Sequence, residues 1–147
     1  MSLRRSVAVL FLSVIALCFT TGVSIAQADS SVKPLKGTFA GAGFTLDGQL
    51  MHLGRFTGQI TSFVPSPDGG TTTATWTAAN GDEVRVRSDF TVGGQDPSTC
   101  LYKFTQVITI LGGTGRFSAA TGHAIGTGET TPDFSTYHGK IDGTIGY

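Results

Sequence analysis

Few residues in this chain stand where they can do chemistry. The run from Ile108 to Phe117 has the outline of a strand entering a phosphate-cradling loop. Such a loop needs G-x-G-x-x-G at the start of a helix. From Gly113 the run reads Gly-Thr-Gly-Arg-Phe-Ser, so the third glycine is missing. Gly122, Gly126 and Gly128 then follow too closely for a long helix, and a tight glycine corner is expected instead. His52, His123 and His138 are widely separated, with no H-x-H, H-E-x-x-H or paired cysteines. Only a placement of His123 and His138 on adjacent strands would bring two imidazoles together. Exposed or hydrogen-bonded histidines are the expectation, with no metal and no other cofactor. No G-x-S-x-G elbow is present, and Cys100 has no evident activating partner.

Two further sets are candidates. Glu83 and Asp89 alternate with Arg85 and Arg87 along one stretch. As a lumen wall they would bind an anionic or carboxylate ligand. As an outer strand face they would form solvated ion pairs, each contributing less than ~1 kcal/mol. The second reading is preferred, because Val84, Val86 and Phe90 need the inside. Asp82 and Glu83, adjacent in a strand, diverge to opposite faces and form no acid pair. The other set is aromatic. Phe56, Trp76, Tyr102, Phe104 and Tyr137 converge on the interior of a rolled sheet, as plain core or as the wall of a ligand pocket. Gln106 shares the apolar face of its strand, and a buried amide there needs a partner: a ligand, a water or another side chain.

The elements that must position these residues are strands. The chain has 147 residues, a prior for one domain and too few for a Rossmann pair or a TIM barrel. Met1 to Ala28 reads as a secretory signal: Arg4 and Arg5, an apolar run from Val7 to Phe19, then Ala26-Gln27-Ala28 as a cleavage site. The apolar run is shorter than the ~20 residues of a membrane span. Cleavage removes Arg4, Arg5 and Cys18. It leaves Cys100 as a lone thiol and the ten acidic side chains in an excess of two. That balance argues against nucleic-acid binding, which needs a basic face. A lone thiol in an exported chain is either buried and inert, which is the expectation here, or available for intermolecular pairing. The expected domain is then residues 29–147, secreted or periplasmic.

Of the 21 glycines only Gly22 lies in the leader, so glycine in the remainder far exceeds its usual ~7%. Threonine is as frequent there, and strong helix formers are scarce. Alternation dominates. Val84, Val86, Ser88 and Phe90 share a face, as do Tyr102, Phe104, Gln106, Ile108 and Ile110, and Tyr137, Ile141, Ile145 and Tyr147. The expected strands are Lys36–Phe44, Thr45–Leu53, Arg55–Val64, Thr71–Ala79, Asp82–Val92, Leu101–Leu111, a short region in Phe117–Glu129, and Ser135–Tyr147. Asn80-Gly81 signals a two-residue hairpin. Eight short-linked antiparallel strands hide their edges best by closing into a barrel, and a β-sandwich is the alternative. A Gly-x-Phe-x-small pattern recurs around Phe39, Phe56 and Phe117, read as a bend followed by an aromatic plug.

Gly112-Gly113-Thr114-Gly115-Arg116-Phe117-Ser118-Ala119-Ala120-Thr121-Gly122 resembles the G-G-[ST]-G-x-[FY]-x-x-A-x-G corner of the allene oxide cyclase and dirigent barrels and of related bacterial exported proteins. The resemblance implies an eight-stranded antiparallel barrel over Lys36 to Tyr147, with a central cavity, often in trimers. In the plant members that cavity steers a reactive hydrophobic intermediate. No catalytic residue carries over. The resulting expectation is a non-catalytic binder of a small apolar molecule in the lumen, as a homo-oligomer (trimer or dimer). The alternatives are a lumen isomerase or cyclase and a structural exported barrel.

Overall fold

Period-two burial organises most strands of the protein and breaks in the second half of the strand Gly54–Ser66. The computed structural model describes residues 31–147. The expected secretory leader, its expected cleavage site and Cys18 lie outside the described residues. The elements are β1 (Val32–Ala42), β2 (Thr45–Leu50), β3 (Gly54–Ser66), β4 (Gly69–Ala78), β5 (Glu83–Gln95), β6 (Tyr102–Gly113), a 3-10 turn η1 (Gly115–Phe117), β7 (Thr121–Thr130) and β8 (Thr136–Gly146). Each strand pairs antiparallel with its sequence neighbour. β8 returns to pair with β1 from Val32↔Gly146 to Ala42↔Thr136, closing an eight-stranded barrel in sequence order. That last ladder excludes the sandwich, which would leave both edges unpaired.

Several strand bounds and one turn differ from expectation. β1 starts at Val32, because its ladder to β8 runs the full length of both strands. The Phe117–Glu129 region divides into η1 and β7. The Asn80-Gly81 turn is not a two-residue hairpin. The amide of Gly81 donates to the Ala78 carbonyl, and that of Ala78 to the Asp82 carbonyl. Only Gly81, not Asn80, has positive φ (87°), so the turn is a three-residue loop with glycine at its left-handed position.

The inward faces form two zones. At the end where β1 begins and β8 finishes, Leu35, Leu50, Leu53, Val84, Ile145 and Phe117 are fully or nearly fully buried. This end is shut by the glycine corner. Gly113 passes beneath the Glu83 carbonyl with no room for a Cβ. Thr114 exchanges two bonds with Glu83: its amide donates to the Glu83 carbonyl, and its hydroxyl accepts from the Glu83 amide, both at 2.9 Å. Gly115 turns at φ 53° against the Asp82 carboxylate. Arg116 then donates to the His52 carbonyl at 2.6 Å and stands 3.7 Å from Asp82, joining three loops. Phe117, at 0% exposure, drops into the barrel and meets the Tyr147 ring edge-on at 4.8 Å. The turn is three residues long, which accounts physically for why no phosphate-binding helix follows. Phe39 and Phe56, the other two plugs of the recurring pattern, are also buried.

The outward faces carry Lys36 beside Asp142, Arg87 beside Asp89 and His138 beside Glu129. A lipid-facing barrel needs an apolar outer band instead. No helix among the described residues is long and apolar enough to cross a membrane. Cys100 contradicts the buried-thiol expectation. It is exposed and free, in the β5–β6 turn at φ 59°, where its amide bonds to the Asp96 carbonyl. A turn residue whose backbone is committed to closing the loop has no strand face on which to bury its side chain.

Truncating the plug tests this account. Phe117→Ala is expected to lower unfolding free energy by about 3–5 kcal/mol, read as a shift in urea midpoint at unchanged m-value.

Candidate ligand-binding lumen

The second zone is hollow. At the end formed by the β1–β2, β3–β4, β5–β6 and β7–β8 turns, the barrel encloses a cavity of about 820 Å³. That volume suits one small ligand. Its wall is largely aromatic. Phe39 lies between Phe104 (centroids 6.3 Å) and Tyr137 (6.4 Å). Phe63 stacks on Phe90 at 6.1 Å and 21°. Trp76 packs on Phe56 at 5.4 Å.

Most of these rings have room because a residue across the ladder is glycine, whereas Phe63 faces Thr72. Phe39 faces Gly48 on one side and Gly139 on the other. Trp76 faces Gly58, Phe90 faces Gly70, Phe104 faces Gly128 and Tyr137 faces Gly41. A Cβ on Gly128 would stand 2.8 Å from the Phe104 ring, and one on Gly139 2.9 Å from the Phe39 ring. An aromatic folded over a cross-strand glycine covers that backbone and narrows the barrel locally.

Of the aromatic and amide residues singled out in the sequence, Trp76, Tyr102, Phe104, Gln106 and Tyr137 line this cavity. Phe56 does not. It is 3% exposed beneath Trp76, so it is floor packing rather than wall. Phe39, Phe63, Phe90, Ser88 and Thr72 line the cavity without having been singled out as site residues. Ser88 and Phe90 were legible, since they alternate with Val84 and Val86. Phe63 was not, because a bulge intervenes between Ile60 and Ser62. Thr61 is the extra residue, and its hydroxyl bonds to the Thr73 hydroxyl at 3.0 Å. Strict alternation from Phe56 would send Phe63 outward; the bulge turns it in.

The chemistry of the cavity is sparse. Among the described residues its only charged lining residues are Asp68 and Asp133, both in turns at the mouth. The Asp133 carboxyl is lowered to about 2 by the Thr131 hydroxyl and by the amide and hydroxyl of Ser135. Tyr137 donates to the Thr45 carbonyl at 3.1 Å, and burial raises its phenol above the ordinary value. The hydroxyls of Thr72 and Ser88 and the Gln106 amide are among the neutral polar groups that line the lumen.

The remaining sets lie elsewhere. Glu83, Arg85, Arg87 and Asp89 occupy the outer face of β5. Arg87 pairs with Asp89 at 2.9 Å, and the Thr71 hydroxyl, foremost, lowers the Asp89 carboxyl. His123 and His138 do lie on the adjacent strands β7 and β8. Their partners are Thr144 and Glu129, however, so six positions, roughly 20 Å, separate them. His52 sits at the closed end with φ 71° and a buried, unpartnered Nε2. Among the described residues no cluster of three or more His, Cys, Asp or Glu is placed to hold a metal ion.

No protein-family model, curated protein or solved structure matches this chain. The lumen is therefore read from its own residues: an apolar, ring-walled chamber with a few neutral hydrogen-bonding groups and an acidic lip.

Two outcomes are expected. Gly58→Ala places a methyl group 2.7 Å from Leu46 and 3.0 Å from Trp76. It should destabilise by about 1–3 kcal/mol, and Leu46→Ala in the same chain should recover part of that loss in a double-mutant cycle. Asp133 has a folded pKa of about 2, below the ~3.9 of an unfolded Asp. Its contribution to β7–β8 loop order is complete above about pH 4 and is lost as pH falls through about 2. The Ser135 amide resonance should titrate with a midpoint near 2; a midpoint near 4 would contradict the bonded loop.

Proposed function

We propose that the protein is an exported, non-catalytic binder of a small, largely apolar molecule, held in the open end of a barrel of the allene oxide cyclase/dirigent type. The observation that carries this reading is a cavity of about 820 Å³, ringed by aromatic side chains, in a barrel whose other end is shut by Phe117. A filled core would place the same rings in mutual contact throughout. The non-catalytic reading is supported by the absence of a charged side chain below the lip in the lining. General acid–base work needs two titratable groups converging on the reacting atoms, and the lumen offers only the Tyr102 and Tyr137 phenols. Export is supported by the leader-like Met1–Ala28 segment. A homo-oligomer, dimer or trimer, belongs to the same proposal. Val107 on β6 stands opposite Ile125 on β7, both exposed on the outer wall near Leu111, and such a patch is suited to a second copy.

Trp76 is the only tryptophan and lines the lumen. Titration with N-phenyl-1-naphthylamine, a neutral apolar probe, is expected to quench Trp76 emission at one probe per chain, with affinity on the order of micromolar. Thr72→Phe, which fills the cavity, should abolish the quenching. Native mass spectrometry of the same sample reads subunit number and any ligand carried through purification. Silence of Trp76 with this probe and with a varied apolar panel would overturn the reading.

A further inference from the structure

Three of the polar side chains lining the lumen stand together on adjacent strands. Thr72 on β4 is the direct cross-strand partner of Ser88 on β5. Ser88 lies one diagonal step from Gln106 on β6, since Phe90 pairs with Gln106 and Ser88 with Ile108. Diagonal neighbours on one face are ~7–8 Å apart. Three adjacent strands thus present one short polar stripe. Its depth is defined by the next inward residue on each strand. Towards the closed end these are Ala74, Val86 and Ile108, all apolar and buried. Towards the mouth they are Gly70, Phe90 and Phe104, two of them cavity-wall rings. The stripe marks the level where the hollow zone gives way to packed core.

Gln106 is held there by its own cross-strand glycine. It lies over Gly126, where a Cβ would stand 2.5 Å from its Nε2 and 2.6 Å from its Cγ. Its amide offers two N–H donors and a carbonyl acceptor, and the two hydroxyls each donate and accept. Among the described residues nothing in the lining is basic, and its only charges, Asp68 and Asp133, are carboxylates at the mouth. An anion would pass two like charges and then lose its water without a counter-ion, which is strongly unfavourable. A neutral oxygen or nitrogen group suffers neither penalty.

We propose that the ligand is a neutral amphiphile that enters head first. An uncharged hydroxyl, carbonyl or amide seats on the Thr72–Ser88–Gln106 stripe, and a ring-bearing apolar body lies against Phe39, Phe90 and Phe104. Carboxylates of the same body are rejected. This assignment rests on the lumen-binding reading and names its ligand class.

The test is displacement of N-phenyl-1-naphthylamine by three molecules of one skeleton: naphthalene, 2-naphthol and 2-naphthoate. Net hydrogen-bond strengths of about 0.5–1.5 kcal/mol correspond to a 2-naphthol preference of about 2–10-fold over naphthalene. 2-Naphthoate is expected to bind at least ~100-fold more weakly than 2-naphthol. Gln106→Leu should bring the naphthol-to-naphthalene ratio to about one. Ser88→Ala, a smaller change that protects the test if the first variant misfolds, should lower the ratio in the same direction. Equal binding of all three molecules, preferential binding of naphthoate, or a ratio unmoved by both variants would overturn the neutral-head assignment while leaving lumen binding intact. Failure of the probe and all three molecules to bind would overturn lumen binding itself.

Discussion

The structure depends on pairing large inward rings with glycine across the ladder. An eight-stranded barrel has an interior just wide enough to fill with ordinary side chains. Seven or more aromatics cannot enter it at the usual cross-strand spacing, where facing Cβ atoms stand ~4.5–5.5 Å apart. Gly41, Gly48, Gly58, Gly70, Gly128 and Gly139 remove the facing side chain, so Tyr137, Phe39, Phe56, Trp76, Phe90 and Phe104 lie down against backbone. A ring lying flat on the wall lines the barrel without crossing it. The same pairing that lets the rings enter therefore leaves the centre of the open half hollow.

The closed half obeys a different constraint. Aliphatic side chains from facing strands meet there, and Phe117 arrives from a corner rather than from a strand. Its approach requires the chain to turn twice within a few residues, at Gly112 (φ 107°) and Gly115 (φ 53°). Each is a conformation that L side chains adopt only under strain. Thr114 and Arg116 then tie the corner to β5 and to the β2–β3 loop, so the plug cannot swing out without breaking bonds to two neighbouring loops. One rigid end and one hollow end make the barrel a cup, with a stripe of neutral polar groups at the bottom and its carboxylates on the lip.

Much of this was legible along the chain. Alternation in β5, β6 and β8 assigns Val84, Ser88, Phe104, Gln106, Ile108, Tyr137 and Ile145 to the inside, and the structure keeps them there. Phe39, Phe56 and Phe117 are buried as the recurring glycine-then-phenylalanine pattern implies. What escaped had local causes. Phe63 is inward because of one extra residue at Thr61, and a bulge leaves the composition of a strand unchanged. Phe56 and Trp76 are both inward and adjacent, yet only the relative heights of β3 and β4 decide which ring meets the cavity and which lies under it. Cys100 is exposed because its backbone closes a turn, a commitment that side-chain type does not announce.

Taken by itself, the sequence determined that the chain folds as strands with one greasy face, that those strands are short-linked and antiparallel, and that Trp76, Phe104, Tyr137 and Gln106 point inward. These are properties of neighbours one to four residues apart, where steric preference and period-two geometry act. Closure into a barrel is the expectation from the sequence, with a sandwich as the alternative. Tertiary structure decided between them by pairing β8 with β1. It alone decided that the β6–β7 corner seals one end and that Thr72, Ser88 and Gln106 share a level at the floor of the other. Those facts depend on the stagger between strands far apart in the chain, and no local periodicity records that stagger.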